Sequence, residues 1–259
     1  MIRLLQICIV LFWLGTTGWL AWTIWKPGGT GFVEMDPQEA LDTFFEWNES
    51  TTMTIMENGR RIGQVNVSGV AGEDRRKNRG FLKTFSMAGS LDNTDQPGSV
   101  GLFWRALHDF DNNQPMNLLA GELSLRIPAR QLTAHVEVEG DPAVLKARAL
   151  LGEVKLFEYD GDPEKLPEVP GTLTEGLGGS LLGDFTNPES LQPEIKASRG
   201  DREFGTSREI PVFRLEISPG PDMPGLVVFL STAGEPLKVE TEFGVELISE
   251  VLVPLEVYR

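Results

Sequence analysis

The chain has almost no cysteine: Cys8 is the single one in 259 residues. That excludes a disulfide framework and any zinc site built on several thiolates. Imidazole is nearly as scarce, with His108 and His135 the only histidines, and no His-Glu-x-x-His occurs. Basic residues number 23 against 38 acids, a formal net charge of −15. Phosphate binding needs a basic surface, so nucleic acid is excluded as a partner and tight adhesion to anionic headgroups is disfavoured. The sequence holds no Gly-x-x-x-x-Gly-Lys-Ser/Thr, no Gly-x-Ser-x-Gly and no Ser-x-x-Lys, which removes the phosphate cradle and two serine-nucleophile signatures. Charged residues make up an ordinary 24%, so wholesale disorder is excluded too.

Long apolar runs are also absent, with one exception. Leu4 to Trp25 carries no charge and is mostly Leu, Ile, Val, Phe and Trp. At ~1.5 Å per residue a helix over this run spans roughly 33 Å, which matches a hydrocarbon core of about 30 Å. Trp19, Trp22 and Trp25 crowd its far end, where indole rings favour the headgroup level. A cleaved signal peptide is the rival reading, but it wants a shorter apolar core and a small-x-small site. Cys8 follows Ile7 early in the run, which is the wrong place for a lipidation site. The expectation is an uncleaved anchor over residues 1–26, with a cytoplasmic N-terminus and the bulk of the chain extracytoplasmic, in the periplasm. The membrane, through this helix, is then the first partner.

A Pro/Gly linker follows over 27–35. Asp36-Pro37 reads as N-cap and first helical position, with Glu39 at the capping-box place. A short helix through Leu41, Phe44 and Phe45 to about Trp47 is expected. From Thr51 onward the period is two. Asn58-Gly59 marks a hairpin, because a type I′ turn needs positive φ at both central residues. Strands are expected over Phe81–Leu91, Val100–Leu107, Leu119–Ile127, Leu132–Val138, Val212–Ile217, Leu226–Ser231, Leu237–Phe243 and Val245–Tyr258, with another near Ile195. Pro142 to Phe157 ends as a strand, while its start reads equally as helix or strand. Strands with one wet and one dry face are antiparallel in habit. The domain over 36–259 is therefore expected to be mainly β: a curved antiparallel sheet or half-barrel with one or two short helices. Gly59 and Gly234 each have an aliphatic residue three positions on and a Gly ten positions on, which raises a duplicated architecture as an open question.

Residues with chemistry are few. His135 stands beside Glu137 at strand spacing on a polar face. His108-Asp109-Phe110-Asp111, with Asn112 and Asn113, offers metal donors but fails as a calcium loop and reads as a polar turn. Gly176, Gly178, Gly179 and Gly183 lack the strand and helix of a dinucleotide fingerprint. Arg75, Arg76, Lys77 and Arg79 form the basic cluster, read as a solvated loop. Arg199-Gly200-Asp201 reads as ordinary turn chemistry. Asn48-Glu49-Ser50 and Asn66-Val67-Ser68 match glycosylation sequons. No catalytic residue, cofactor or metal ligand can be named. The acids are too many for a hydrolase pair to be singled out.

Met53-Thr54-Ile55 running into Asn58-Gly59-Arg60-Arg61-Ile62-Gly63, and Gly234-Glu235-Pro236-Leu237-Lys238-Val239 followed by Phe243-Gly244, resemble bacterial membrane-anchored envelope proteins. Some of these are similar to the lipoprotein-carrier group. That resemblance implies a curved antiparallel half-barrel closed by helices around an apolar cavity. It covers about a fifth of the chain and carries over no functional residue. The leading expectation is a binding module for an apolar or lipidic ligand, or for an envelope protein partner, near the membrane. Phe44, Phe45, Phe103, Trp104 and Phe110 are its candidate cavity lining. The alternatives are a scaffold subunit of an envelope assembly and a carboxylate-dependent hydrolase.

Overall fold

The computed structural model describes residues 31–73, 80–92, 100–112, 118–140, 143–165, 194–204, 209–218 and 225–252. The expected anchor, the basic cluster at 75–79 and the glycine loop at 176–183 lie outside the described residues. Among the described residues no helix is long and apolar enough to cross a membrane. Residues Glu34–Arg259 form one compact unit.

Among the described residues that unit is one mainly antiparallel sheet and one α-helix. The helix, α1 (Pro37–Trp47), follows the short strand β1 (Val33–Met35). Eight strands then run in a meander: β2 (Ser50–Glu57), β3 (Arg60–Glu73), β4 (Phe81–Asp92), β5 (Val100–Asp111), β6 (Leu118–Ile127), β7 (Leu132–Glu139), β8 (Val144–Leu151) and β9 (Val154–Gly161). A second meander comprises β10 (Glu194–Glu203), β11 (Glu209–Ser218), β12 (Leu226–Ser231), β13 (Pro236–Thr241) and β14 (Val245–Ser249). The two are joined where β14 pairs with β2. The spatial order is β1-β10-β11-β12-β13-β14-β2-β3-β4-β5-β6-β7-β8-β9, fourteen strands that do not close.

Local chemistry explains the elements. Asp36 caps α1 by accepting from the Gln38 amide at 2.9 Å, and Pro37 opens the helix, where a missing N–H costs nothing. Asn48 ends it in the left-handed region at φ 52°. Asn58 and Gly59 take φ 50° and 77°, the double positive φ of a type I′ hairpin.

The helix buries Ala40, Phe44 and Phe45 against the sheet. It touches β3 and β4, and also β10 and β11. In the strand order β11 and β3 are five steps apart, which is ~24 Å in a flat sheet at about 4.8 Å per strand. A helix about 10 Å across and ~16 Å long cannot bridge that gap sideways while also reaching β10 and β4. The sheet therefore curls around α1. The main core lies inside the curl: Met53, Ile55, Val65, Val67, Ala197, Phe213, Leu215 and Leu230 pack with the three helix residues. The expected curved open sheet with a short helix in its hollow is what the chain builds.

Register decides which side chains face the helix. Across β5 to β9 one face carries the rows Trp104–Leu125–Ala134–Ala149–Phe157, Ala106–Leu123–Val136–Ala147–Tyr159 and His108–Gly121–Val138–Leu145–Gly161. The other carries Arg105–Ser124–His135–Arg148–Glu158 and Leu107–Glu122–Glu137–Lys146–Asp160. The first face is continuous with the core through Met87 opposite Ala106 and Phe85 opposite His108. It is thus the inner face, and the second is the outer.

Several expectations are corrected. From Val144 the segment left open between helix and strand is strand, since β8 and β9 form a hairpin through Gly152 and Glu153. His108 to Asp111 is not a turn: it completes β5, with Asp111 opposite Leu82. Arg199-Gly200-Asp201 is likewise mid-strand in β10, where its residues pair with Phe213, Val212 and Pro211. β14 stops at Ser249, where a 3-10 turn over Glu250–Leu252 takes over. The matched glycine spacing has no structural counterpart: Gly69 lies within β3, whereas Gly244 sits in a turn at φ 80°.

Candidate functional site

Four of the five expected lining residues meet on the inner face. Phe44 and Phe45 contact each other edge to face, with centroids 5.2 Å apart. Phe44 lies 6.1 Å from Phe85, and Phe45 lies 6.4 Å from Phe110. Trp104 packs against the same cluster from β5. Phe44 can reach the sheet because Gly69 leaves it room: a Cβ there would lie 2.5 Å from its ring. Phe103 does not join them. It alternates to the outer face, opposite Ser90 and Arg126, and is 44% exposed.

His108 extends this aromatic row. Its ring lies 6.2 Å from Phe85 and is stacked on Phe110 at 6.3 Å. Nδ1 is buried and has no hydrogen-bond partner among the described residues. Burial pushes the imidazole below its ordinary range by disfavouring the charged form, and the neighbouring Asp109 carboxylate opposes that. A neutral, half-buried imidazole among phenyl rings is a polar atom set into an otherwise apolar surface. His135, by contrast, lies on the outer face, with Nδ1 2.9 Å from Ser124 Oγ.

At one end of this row α1 and the sheet edge an open cleft of about 530 Å³. Its walls are Gln38, Asp42, Phe45, Glu46 and Asn48 from the helix side, with Ala71, Phe81, Lys83 and Asn112 from β3, β4 and the end of β5. Lys83 is the unexpected member. It stands opposite Phe110 and Ala71 on the inner face, and its side chain is only 7% exposed. Its ammonium donates to Asp42 Oδ1 at 2.6 Å and to the Asn112 carbonyl at 3.4 Å. Gln38 Nε2 donates to the same Asp42 oxygen at 2.6 Å. Asp42 is 42% exposed, and Glu46, one helical turn further on, is exposed. The cleft therefore has a buried cation at its base and two carboxylates on its helix side. The sequence carried a signal for Lys83: Phe81, Phe85 and Met87 alternate along one face of β4, and Lys83 is the charge that interrupts them.

Beyond the helix the inner face stays apolar. Leu123, Leu125, Val136 and Val138 are half-buried, and Leu118, beside Gly121, is 46% exposed. A small satellite core of Leu132 and Ala149, with Ile127, Ala134, Leu156 and Phe157, closes the far end. Among the described residues there is one α-helix and one sheet, and none of these residues forms a second α-helix or a second sheet over this strip.

Other motifs carry no site. No group of three or more His, Cys, Asp or Glu among the described residues could hold a metal ion. Arg199 lies 5.8 Å from the Phe213 ring centroid, a packing contact. Asn48 is the helix C-cap, and Asn66 accepts from the Thr52 hydroxyl at 2.7 Å. Comparison with protein-family models, with curated proteins and with solved structures gives no match to this chain.

Proposed function

We propose that the domain binds an apolar or lipidic ligand on the inner face of β5 to β9, beside α1, close to a membrane. One observation carries this reading. The inner face is as apolar as a core out to β9, yet the helix fills only part of the hollow and leaves Leu118, Leu123, Leu125, Val136 and Val138 partly open. Ligand sites are concave and mostly apolar with a few placed polar groups, and the His108 Nδ1 and the Lys83 cleft are such groups. The outer face, with its Glu137–Lys146 pair at 3.7 Å, suits water. The apolar run Leu4–Trp25, read as an anchor, supports a position where lipid is at hand.

The test is native mass spectrometry of the full-length protein extracted in mild detergent and then exposed to mixed phospholipids. Retained lipid, lost in Val136→Glu or Leu123→Glu, is the expected result. A lipid-free protein that instead holds a second protein subunit would overturn the reading in favour of an assembly scaffold.

A further inference from the structure

We infer that the ligand is an amphiphile with a zwitterionic head, and that the cleft between α1 and β4 receives that head. The inference rests on the reading above and adds direction and chemistry to it. Lys83 and Phe110 are cross-strand partners on the inner face. Phe45, which lines the cleft, packs on Phe110, and Phe110 stacks on His108. The polar cleft and the apolar strip are thus one continuous surface. From Lys83 on β4 to Leu145 on β8 there are four strand steps, ~19 Å, about the reach of a long acyl chain.

The charges select the head. Among the described residues Lys83 donates to Asp42 and to the Asn112 carbonyl, which accounts for two of its three ammonium hydrogens, and the Asn48 and Asn112 amides border the same space. A phosphate oxygen fits there. A purely anionic head would face Asp42 and Glu46 across the cleft, in a chain of net charge −15. An ammonium attached to the phosphate removes that conflict, because it falls to the two carboxylates while the phosphate falls to Lys83. Buried ion pairs contribute little net stability, so fold stability alone gives Lys83 small reason to occupy an apolar face.

The experiment presents the full-length protein in mild detergent with equal amounts of phosphatidylethanolamine, phosphatidylglycerol and diacylglycerol of matched chains, and reads bound species by native mass spectrometry. Soluble phosphoethanolamine is added as competitor in a parallel arm. Phosphatidylethanolamine is expected to exceed phosphatidylglycerol by about fivefold, as one exposed charge contact allows. Glu46→Lys, a change at an exposed position, is expected to invert that preference. Soluble phosphoethanolamine is expected to displace the lipid weakly, since it lacks the tail. Equal retention of all three lipids, or a preference that Glu46→Lys leaves unchanged, overturns the zwitterionic head while sparing the apolar site. Tight binding of soluble phosphoethanolamine overturns the single continuous surface. Retention of no lipid at all overturns both readings.

Discussion

Replacing Gly69 by alanine tests how α1 is seated. Gly69 faces the helix from the middle of β3, opposite Phe85. A Cβ at that position would lie 2.5, 2.8 and 2.8 Å from Cε1, Cδ1 and Cζ of Phe44. Ordinary carbon contacts sit near 3.5–4.0 Å, so the ring would have to retreat by about 1 Å. Phe45 and Phe85 stand beside it at 5.2 and 6.1 Å, and they restrict its retreat. Overpacking of this kind costs about 1–3 kcal/mol, against a gain of about 0.4–1 kcal/mol from stiffening the unfolded chain. The expected net loss is therefore roughly 0–2.6 kcal/mol, centred near about 1.3 kcal/mol. In a Phe44→Ala background the clashing ring atoms are gone. The same Gly69→Ala change should then be neutral or slightly stabilising, a coupling of at least about 1 kcal/mol between the two positions. Urea denaturation of the full-length protein in mild detergent, followed by tryptophan fluorescence, measures all four members of the cycle. An equal loss in both backgrounds would refute the proposition that Phe44 rests on Gly69.

Three further outcomes follow from the geometry. Asp42→Ala strands the buried Lys83 ammonium and should cost about 1–3 kcal/mol, while Lys83→Met leaves a carboxylate that water can reach and should cost under about 1 kcal/mol; the order of the two urea midpoints checks this. His108 is held below its ordinary value of 6.5 in the folded state, so the unfolded chain takes up its proton first. Its contribution is complete above pH 6.5 and is lost as the pH falls below that value toward the folded one. Midpoints measured between about pH 5 and pH 8 should show this slope in the wild type and a flatter one in His108→Phe. Phe103→Ala, on the exposed outer face, should change stability by no more than about 0.5 kcal/mol, whereas Trp104→Ala should cost about 2 kcal/mol or more; similar values for the two would show the register to be wrong.

The elements with strong local signals were legible in the sequence. Asp36-Pro37 announced α1, Asn58-Gly59 announced the β2–β3 hairpin, and clean alternation announced β6 and β7. The start of β8 was not legible, because Leu145, Ala147, Ala149 and Leu150 suit a helix as well as a strand. Pairing with β7 on one side and β9 on the other decides it. His108 to Asp111 resembled a turn because Asp and Asn favour turns, yet eleven residues of β4 pair with β5 and carry that segment along as strand. Of the aromatics expected to line a cavity, four lie on the inner face and one on the outer face. Phe44, Phe45, Trp104 and Phe110 followed from composition, but adjacent residues on a strand face opposite ways, so Phe103 and Trp104 cannot share a surface. Lys83 was overlooked because a single charge in a strand is usually read as solvent-facing. No local pattern reveals that β14 pairs with β2.

That last pairing shapes how the polypeptide acquires its form during synthesis. Met53 finds Ser249, and Ile55 finds Leu247, so the earliest meander must wait for the latest one before its free border is satisfied. Until then β2 offers unsatisfied amides and carbonyls to any passing strand, and one flank of α1 lacks Ala197 and Phe213. Contacts so distant along the chain make for slow maturation. A ribosome-bound intermediate ending before residue 245 therefore has a sticky border, the kind of surface that a holding chaperone protects.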